Sequence, residues 1–273
     1  MTKTHVCSIG HVQIGTGRLA LIAGPCMAES LELCLDVALR LKAICESLNV
    51  GYVFKASYDK ANRTSSNSYR GPGLEEGLAW LQLVKEKARV PVLSDIHEVC
   101  QVTPASAVLD CIQIPAFLCR QTDLVQTAAL TGLPINIKKG QFMAPWDMGQ
   151  VVEKVRATGN TQVLLTERGT SFGYNRLITD FRAIPQMQEY APVVFDATHS
   201  VQEPGGLGNA SGGKRHLAPV LAAAAAAVGV DALFVEAHPE PENAKSDAAT
   251  QLPIEAIEPL LKRCLAISAA TKS

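Results

Sequence analysis

Eight short apolar runs recur along the chain, at 20–24, 52–56, 91–94, 111–115, 134–138, 162–166, 192–196 and 232–236. Most are continuously apolar instead of alternating, the mark of parallel strands covered on both faces. Longer segments with helical spacing lie between them, at 30–49, 73–88, 122–130, 144–157 and 254–270. Ser30 ahead of Glu32 and Leu33 reads as a helix start, and Pro253 opens the last helix, where a missing N–H is harmless. Residues 6–19 read as an extra hairpin around Gly15-Thr16-Gly17 that covers one end of the sheet. Eight strand–helix units in this length predict a closed (β/α)8 TIM barrel with a short N-terminal hairpin, one domain over 1–273. An open doubly wound sheet is the rival, but it calls for a glycine-rich turn after its first strand. The chain has Gly24-Pro25-Cys26-Met27 there, and proline and cysteine do not suit that turn.

The second run leads into KASYDKANRTSSNSYRGPG, starting at Lys55. Lys55, Lys60, Arg63 and Arg70 stand there against one acid, Asp59, among hydroxyl and amide side chains. Too polar for core, the segment suits a ligand rich in oxygens, a phosphate or carboxylate. A solvated basic loop is the plain alternative. Its position at a strand end favours the anion site.

Barrels of this kind carry their chemistry at the C-terminal ends of the strands. The residues at or just past the ends of the eight runs are Cys26, Lys55, Asp95 with His97, Gln113, Lys138 with Lys139, Glu167 with Arg168, Asp196 with His199, and Glu236 with His238. A polar group at every strand end is hard to explain without a site. Cys26, His199, Glu236 and Asp247 have the makings of a divalent metal site, and their mixed hardness leaves Fe²⁺, Zn²⁺ and Mn²⁺ open. Taken singly, Cys26 reads as a small buried residue and His199 as a hydrogen-bonded barrel histidine. The cations exceed the need of one phosphate, so two phosphates, or a phosphate and a carboxylate, fit better. The glycine-rich stretch 205–213 reads as a lid after the seventh strand.

Composition narrows the partners. With 273 residues and a formal net charge of −1, the chain has no basic field to attract a nucleic acid or a membrane surface, so neither is expected. The alanine-rich stretch 217–228 is too short to span a bilayer. The N-terminal segment has no sustained apolar run, so no signal peptide is expected. Eight scattered cysteines read as buried thiols in a reducing cytoplasm.

Several long motifs resemble the 3-deoxy-D-manno-octulosonate 8-phosphate synthase family. They are FKASYDKANRTS from Phe54, SYRGPGLEEGL from Ser68, SDIHE from Ser94, IQIPAFLCRQTDL from Ile112, NIKKGQF from Asn136, ERGTSFGYNRL from Glu167, FDATHSVQ from Phe195 and FVEAHPEPENAKSD from Phe234. Together they run along essentially the whole chain. A related synthase of a seven-carbon sugar phosphate, which uses erythrose 4-phosphate, carries a KPRTSPY-type element. Here the stretch reads Lys60-Ala61-Asn62-Arg63-Thr64-Ser65.

The resemblance implies condensation of phosphoenolpyruvate with arabinose 5-phosphate. It implies that Lys55, Lys60, Lys138 and Arg168 hold phosphoenolpyruvate, with Gln113 and the backbone of Ala116 nearby, and that Asp95 also binds substrate. Asn62, Arg63 and Thr64 would hold arabinose 5-phosphate. Lys60, Asn62, Lys138 and His199 are the expected catalytic groups. Phe117 and Arg120 would reach a neighbouring subunit's site in a homotetramer. Cys26, with His199, Glu236 and Asp247, matches the metal-dependent members, whereas metal-independent members have asparagine at the Cys26 position. Asp247 is followed by Ala248-Ala249 where a glycine is common, which leaves the geometry of that loop open. A non-catalytic barrel that binds sugar phosphates is the alternative from another class.

Overall fold

The computed structural model describes residues 5–62, 69–205 and 212–271. Eight parallel strands form a barrel: β1 Ala20–Gly24, β2 Gly51–Lys55, β3 Val92–Asp95, β4 Cys111–Ile114, β5 Ile135–Lys138, β6 Val163–Glu167, β7 Val193–Asp196 and β8 Ala232–His238. Each pairs with the next, and β8 closes on β1 through five register positions from Ala232↔Ala20 to Glu236↔Gly24. The helices between and after them are α1 Leu31–Ser47, α2 Leu74–Ala88, α3 Val102–Ser106, α4 Thr122–Leu130, α5 Met148–Arg156, α6 Ala183–Gln188, α7 Ala218–Ala227 and α8 Ile257–Ala270. This is the barrel that the apolar runs predict.

Local chemistry accounts for the helix ends. Ser30 caps α1 in an extended conformation, its hydroxyl accepting from the Leu33 N–H. Pro253 precedes a 3₁₀ turn, Ile254–Ala256, that leads into α8. The runs at 144–157 and 254–270 likewise each begin with a 3₁₀ turn before the α-helix proper.

The hairpin is present, but its turn is not at Gly15-Thr16-Gly17. Cys7–Ile9 pairs with Val12–Ile14 across Gly10-His11, and Gly10 takes the left-handed conformation. Alternation decides the register: Cys7, Ile9, Val12 and Ile14 are buried, while Ser8 and Gln13 face away. The four buried residues pack on Ala20, Ile22, Val53, Leu93, Cys111, Leu164, Val194, Ala232 and Phe234, which fill the barrel interior. A larger apolar layer lies between the outer face of the strands and the helices. All eight cysteines are free thiols, and Cys100 alone is exposed. Among the described residues no helix is long and apolar enough to cross a membrane.

Candidate active site

Strand side chains alternate, so the residue two positions on from an inward one also points inward. Stepping two residues from Ile22, Val53, Leu93, Cys111, Val194 and Phe234 gives Gly24, Lys55, Asp95, Gln113, Asp196 and Glu236. Two steps from Leu164 give Arg168 by way of Thr166. The barrel interior is therefore apolar toward the hairpin and ionisable at the C-terminal ends of the strands. A cavity of about 740 Å³ opens there, lined by Lys55, Lys60, Asp95, Gln113, Lys138 and Arg168, with Asn62, Ala116, Phe117, His199 and Asp247.

Gly24 sits against the backbone at the end of β2. A Cβ there would lie 2.0 Å from the Lys55 carbonyl oxygen, a backbone atom that cannot swing aside. Gly24→Ala is expected to cost about 1–3 kcal/mol, the scale of overpacking. Urea unfolding reads the loss, and an unshifted midpoint would contradict it.

Two of the inward cations, Lys55 and Lys138, meet an acid from another strand. Lys55 Nζ donates to Glu236 Oε1 at 3.1 Å and to the Cys26 carbonyl at 2.8 Å. Lys138 Nζ donates to Asp196 Oδ2 at 2.5 Å and lies 3.7 Å over the Phe234 ring. Asp95 accepts from Ser57 Oγ at 2.5 Å and lies 3.0 Å from His97 Nε2. Burial pushes the Glu236 carboxyl up, but His199, Lys55, Lys60 and Lys138 outweigh it and hold the group down at about 2. Asp196 is likewise held far below the carboxylate range, with burial overcome by His199 and Lys138. Burial lowers Lys138 in spite of Asp196. Burial also works against the Lys60 ammonium, but Cys26, Glu236 and Asp95 more than offset it and raise its pKa. Arg168 donates to Gln202 Oε1 at 3.2 Å, and its Nη1 is buried without a protein partner.

Cys26 Sγ and carboxylate oxygens of Glu236 and Asp247 all lie within 4.8 Å of one another. His199 Nε2 is 3.7 Å from Glu236 Oε1 and 3.6 Å from Asp247 Oδ2, while its Nδ1 is 2.7 Å from Asp196 Oδ2. An outer carboxylate on one ring nitrogen leaves the other turned to the cluster, the usual support of a ligating histidine. Glu236 Oε2 is buried with no hydrogen-bond partner. The thiol and two carboxylates, one with an orphaned oxygen, make a donor set that fits a divalent cation, and the His199 imidazole stands beside both carboxylates. Burial, then Asp247 and Glu236, push the Cys26 thiol well up, so cation binding there must displace its proton.

Not every anticipated residue is on the cavity wall. Arg63 and Thr64 lie outside the described residues, as do 206–211 of the glycine-rich stretch. Arg120 is exposed and off the wall of its own chain's cavity, and its carbonyl accepts from Lys154. Arg70 is not an available anion-binding cation: Asp59 takes its guanidinium through two hydrogen bonds, at 2.8 and 2.5 Å. Lys139, Glu167 and His238 stand at strand ends but do not line the cavity.

Other contributors come from the fold. Ser57 braces Asp95, and its place two residues after Lys55 was a legible signal. Gln251, fully buried, accepts from the Cys26 N–H at 3.1 Å and donates to the Ser246 carbonyl at 2.7 Å. Those contacts bind the end of β1 to the Asp247 loop across 225 positions, which no local pattern announces.

A family model described as the DAHP synthetase I family matches residues 3–270. A Trichlorobacter lovleyi protein named 2-dehydro-3-deoxyphosphooctonate aldolase is 56% identical over 274 residues, covering 100% of both chains. A Cyanothece protein of the same name is 56% identical over 95% of this chain and 96% of its own. Another, from Geobacter metallireducens, is 54% identical over 98% of this chain and 100% of its own. With its closed barrel and this match over nearly its whole length, the chain belongs to the DAHP synthetase I family.

Proposed function

We propose that this enzyme condenses phosphoenolpyruvate, D-arabinose 5-phosphate and water into 3-deoxy-D-manno-octulosonate 8-phosphate and inorganic phosphate, for lipopolysaccharide-type sugar biosynthesis. The observation that carries the reading is the cation-lined cavity, with a buried and unpartnered Arg168 Nη1, in a chain whose full-length relatives are named for that eight-carbon product.

In this reaction the alkene carbon of phosphoenolpyruvate attacks the pentose aldehyde, and the aldehyde oxygen ends as a hydroxyl. Water adds to the enol carbon and loses a proton. The tetrahedral carbon then expels phosphate by C–O cleavage. Two polyanions must first be brought together, which demands dense positive charge. Lys55, Lys60, Lys138 and Arg168 supply it for the carboxylate and phosphate of phosphoenolpyruvate, alongside Gln113 and the Ala116 backbone. Asn62, Arg63 and Thr64 hold the pentose phosphate, and Asp95 orients it. Lys60, Asn62, Lys138 and His199 act nearest the reacting carbons. Cys26, His199, Glu236 and Asp247 would hold a divalent metal ion, which when bound supplies Lewis acidity toward the aldehyde or the attacking water.

Arg63→Ala is expected to raise KM for the pentose phosphate much more than KM for phosphoenolpyruvate. Equal rises in steady-state assays would remove the pentose anchor from this reading.

We read 1–273 as one domain, and the eight free thiols support a cytoplasmic location. Phe117, 57% exposed at the cavity mouth, and Arg120, exposed beyond it, support a homotetramer in which they reach a neighbour's site. Mixing the inactive variants Arg120→Ala and Lys138→Ala should restore activity through hybrid sites. No recovery despite demonstrated subunit exchange would count against a shared site.

A further inference from the structure

Two of the four cations assigned to phosphoenolpyruvate, Lys138 and Arg168, each have an outward neighbour that does not line the cavity: Lys139 follows Lys138, and Glu167 precedes Arg168. These neighbours are 0% and 1% exposed, and Lys139 Nζ lies 3.5 Å from Glu167 Oε2. The ammonium also donates to Thr170 Oγ1 at 3.1 Å and to the carbonyls of Gly140 and Met143 at 3.4 Å each. Glu167 Oε1 accepts from the Gly169 N–H at 2.7 Å. Lys139 N–H donates to the Thr166 carbonyl at 2.8 Å, which carries the β5–β6 ladder past its last paired residues. One buried ion pair thus binds the start of the loop after β5 to the end of β6, and the Thr170 contact extends the tie to the loop that follows. The same two loops meet again where the Ser171 N–H donates to the carbonyl of Gln141, a cavity-lining residue.

A buried ammonium and carboxylate are costly to keep, so a pair placed here is poor economy for stability alone. Alternation supplies a reason. Fixing Lys139 and Glu167 on the outer face fixes the backbone from which Lys138 and Arg168 project inward. We propose that the Lys139–Glu167 pair is the positioning device that aims Lys138 and Arg168 together at the phosphate of phosphoenolpyruvate. The proposal rests on the reading of Lys138 and Arg168 given under Proposed function. The device serves one substrate only, because the pentose phosphate is held from the β2 side of the cavity.

The test compares Lys139→Met, Glu167→Gln and Arg168→Ala as metal-loaded enzymes. It measures phosphoenolpyruvate affinity by calorimetry, KM and kcat for both substrates, and the thermal midpoint. Both pair variants are expected to weaken phosphoenolpyruvate about tenfold in Kd and KM, the scale of losing one charge-assisted hydrogen bond. KM for the pentose phosphate should stay within about twofold. A merely structural pair would lower the midpoint while the folded protein still bound phosphoenolpyruvate as the wild type does, and that result overturns the proposal. Should the pair variants not fold, Thr170→Val removes one tether of Lys139 and decides the matter. About threefold weaker phosphoenolpyruvate binding is expected, and unchanged binding overturns the proposal. If Arg168→Ala weakens phosphoenolpyruvate but the pair variants do not, only the positioning role falls. If Arg168→Ala binds phosphoenolpyruvate normally, the substrate reading falls and this proposal with it.

Discussion

Chelation of the purified enzyme is expected to abolish turnover, and Fe²⁺, Mn²⁺ or another divalent ion to restore it. The expectation rests on Cys26, Glu236 and Asp247 standing within 4.8 Å of one another, with His199 Nε2 beside both carboxylates. Cys26→Asn sharpens the test. Losing the thiolate leaves only imidazole and carboxylates. Metal affinity should fall by more than the roughly 10–100-fold that outer partners of metal ligands carry. The lysine and arginine groups are untouched by the change, so partial activity should survive and resist chelator. Metal content after dialysis and rates with and without chelator check both points. Full activity in the metal-stripped wild type would overturn the metal reading while leaving the condensation reading in place.

Replacing Lys138 or Arg168 with Met is expected to weaken phosphoenolpyruvate at least about tenfold. A charge-assisted hydrogen bond contributes about 1.5–3 kcal/mol, and about 1.4 kcal/mol is a factor of ten. Lys138 carries a second consequence. Its ammonium is the partner of Asp196, which also faces His199, so Lys138→Met leaves a buried carboxylate with one counter-charge fewer. Arg168 has no such tie, since its side-chain hydrogen bond goes to neutral Gln202. Lys138→Met should therefore lose thermal stability along with affinity, and Arg168→Met mainly affinity. Normal phosphoenolpyruvate binding by both variants in calorimetry would show that the site is misassigned.

Much of the barrel was legible because parallel strands covered on both faces must be continuously apolar. All eight runs fall within two residues of β1–β8. Three helices were not: α3 and α6, of five and six residues, show less than two periods, and α7 is nearly all alanine, so it has no polar face to set a period. The hairpin turn was misread since two glycines at 15 and 17 drew more weight than the Cys7/Ile9 and Val12/Ile14 alternation that sets the register. Polar residues at the strand ends pointed to the site, but not to its charge balance. Lys55 looked unneutralised beside its own sequence neighbours, yet its partner Glu236 stands 181 positions away on β8. Arg70, by contrast, is neutralised locally by Asp59. A still longer separation, 225 positions, hid Gln251, whose role exists only once β8 closes on β1.

Substrate choice is decided by phosphate release from phosphoenolpyruvate when arabinose 5-phosphate or erythrose 4-phosphate is supplied to the metal-loaded enzyme. Rapid release with the pentose phosphate and formation of the eight-carbon ketosugar acid phosphate are expected, with little release from the tetrose phosphate. Equal or faster release with erythrose 4-phosphate, or no release with either, would contradict the proposed function.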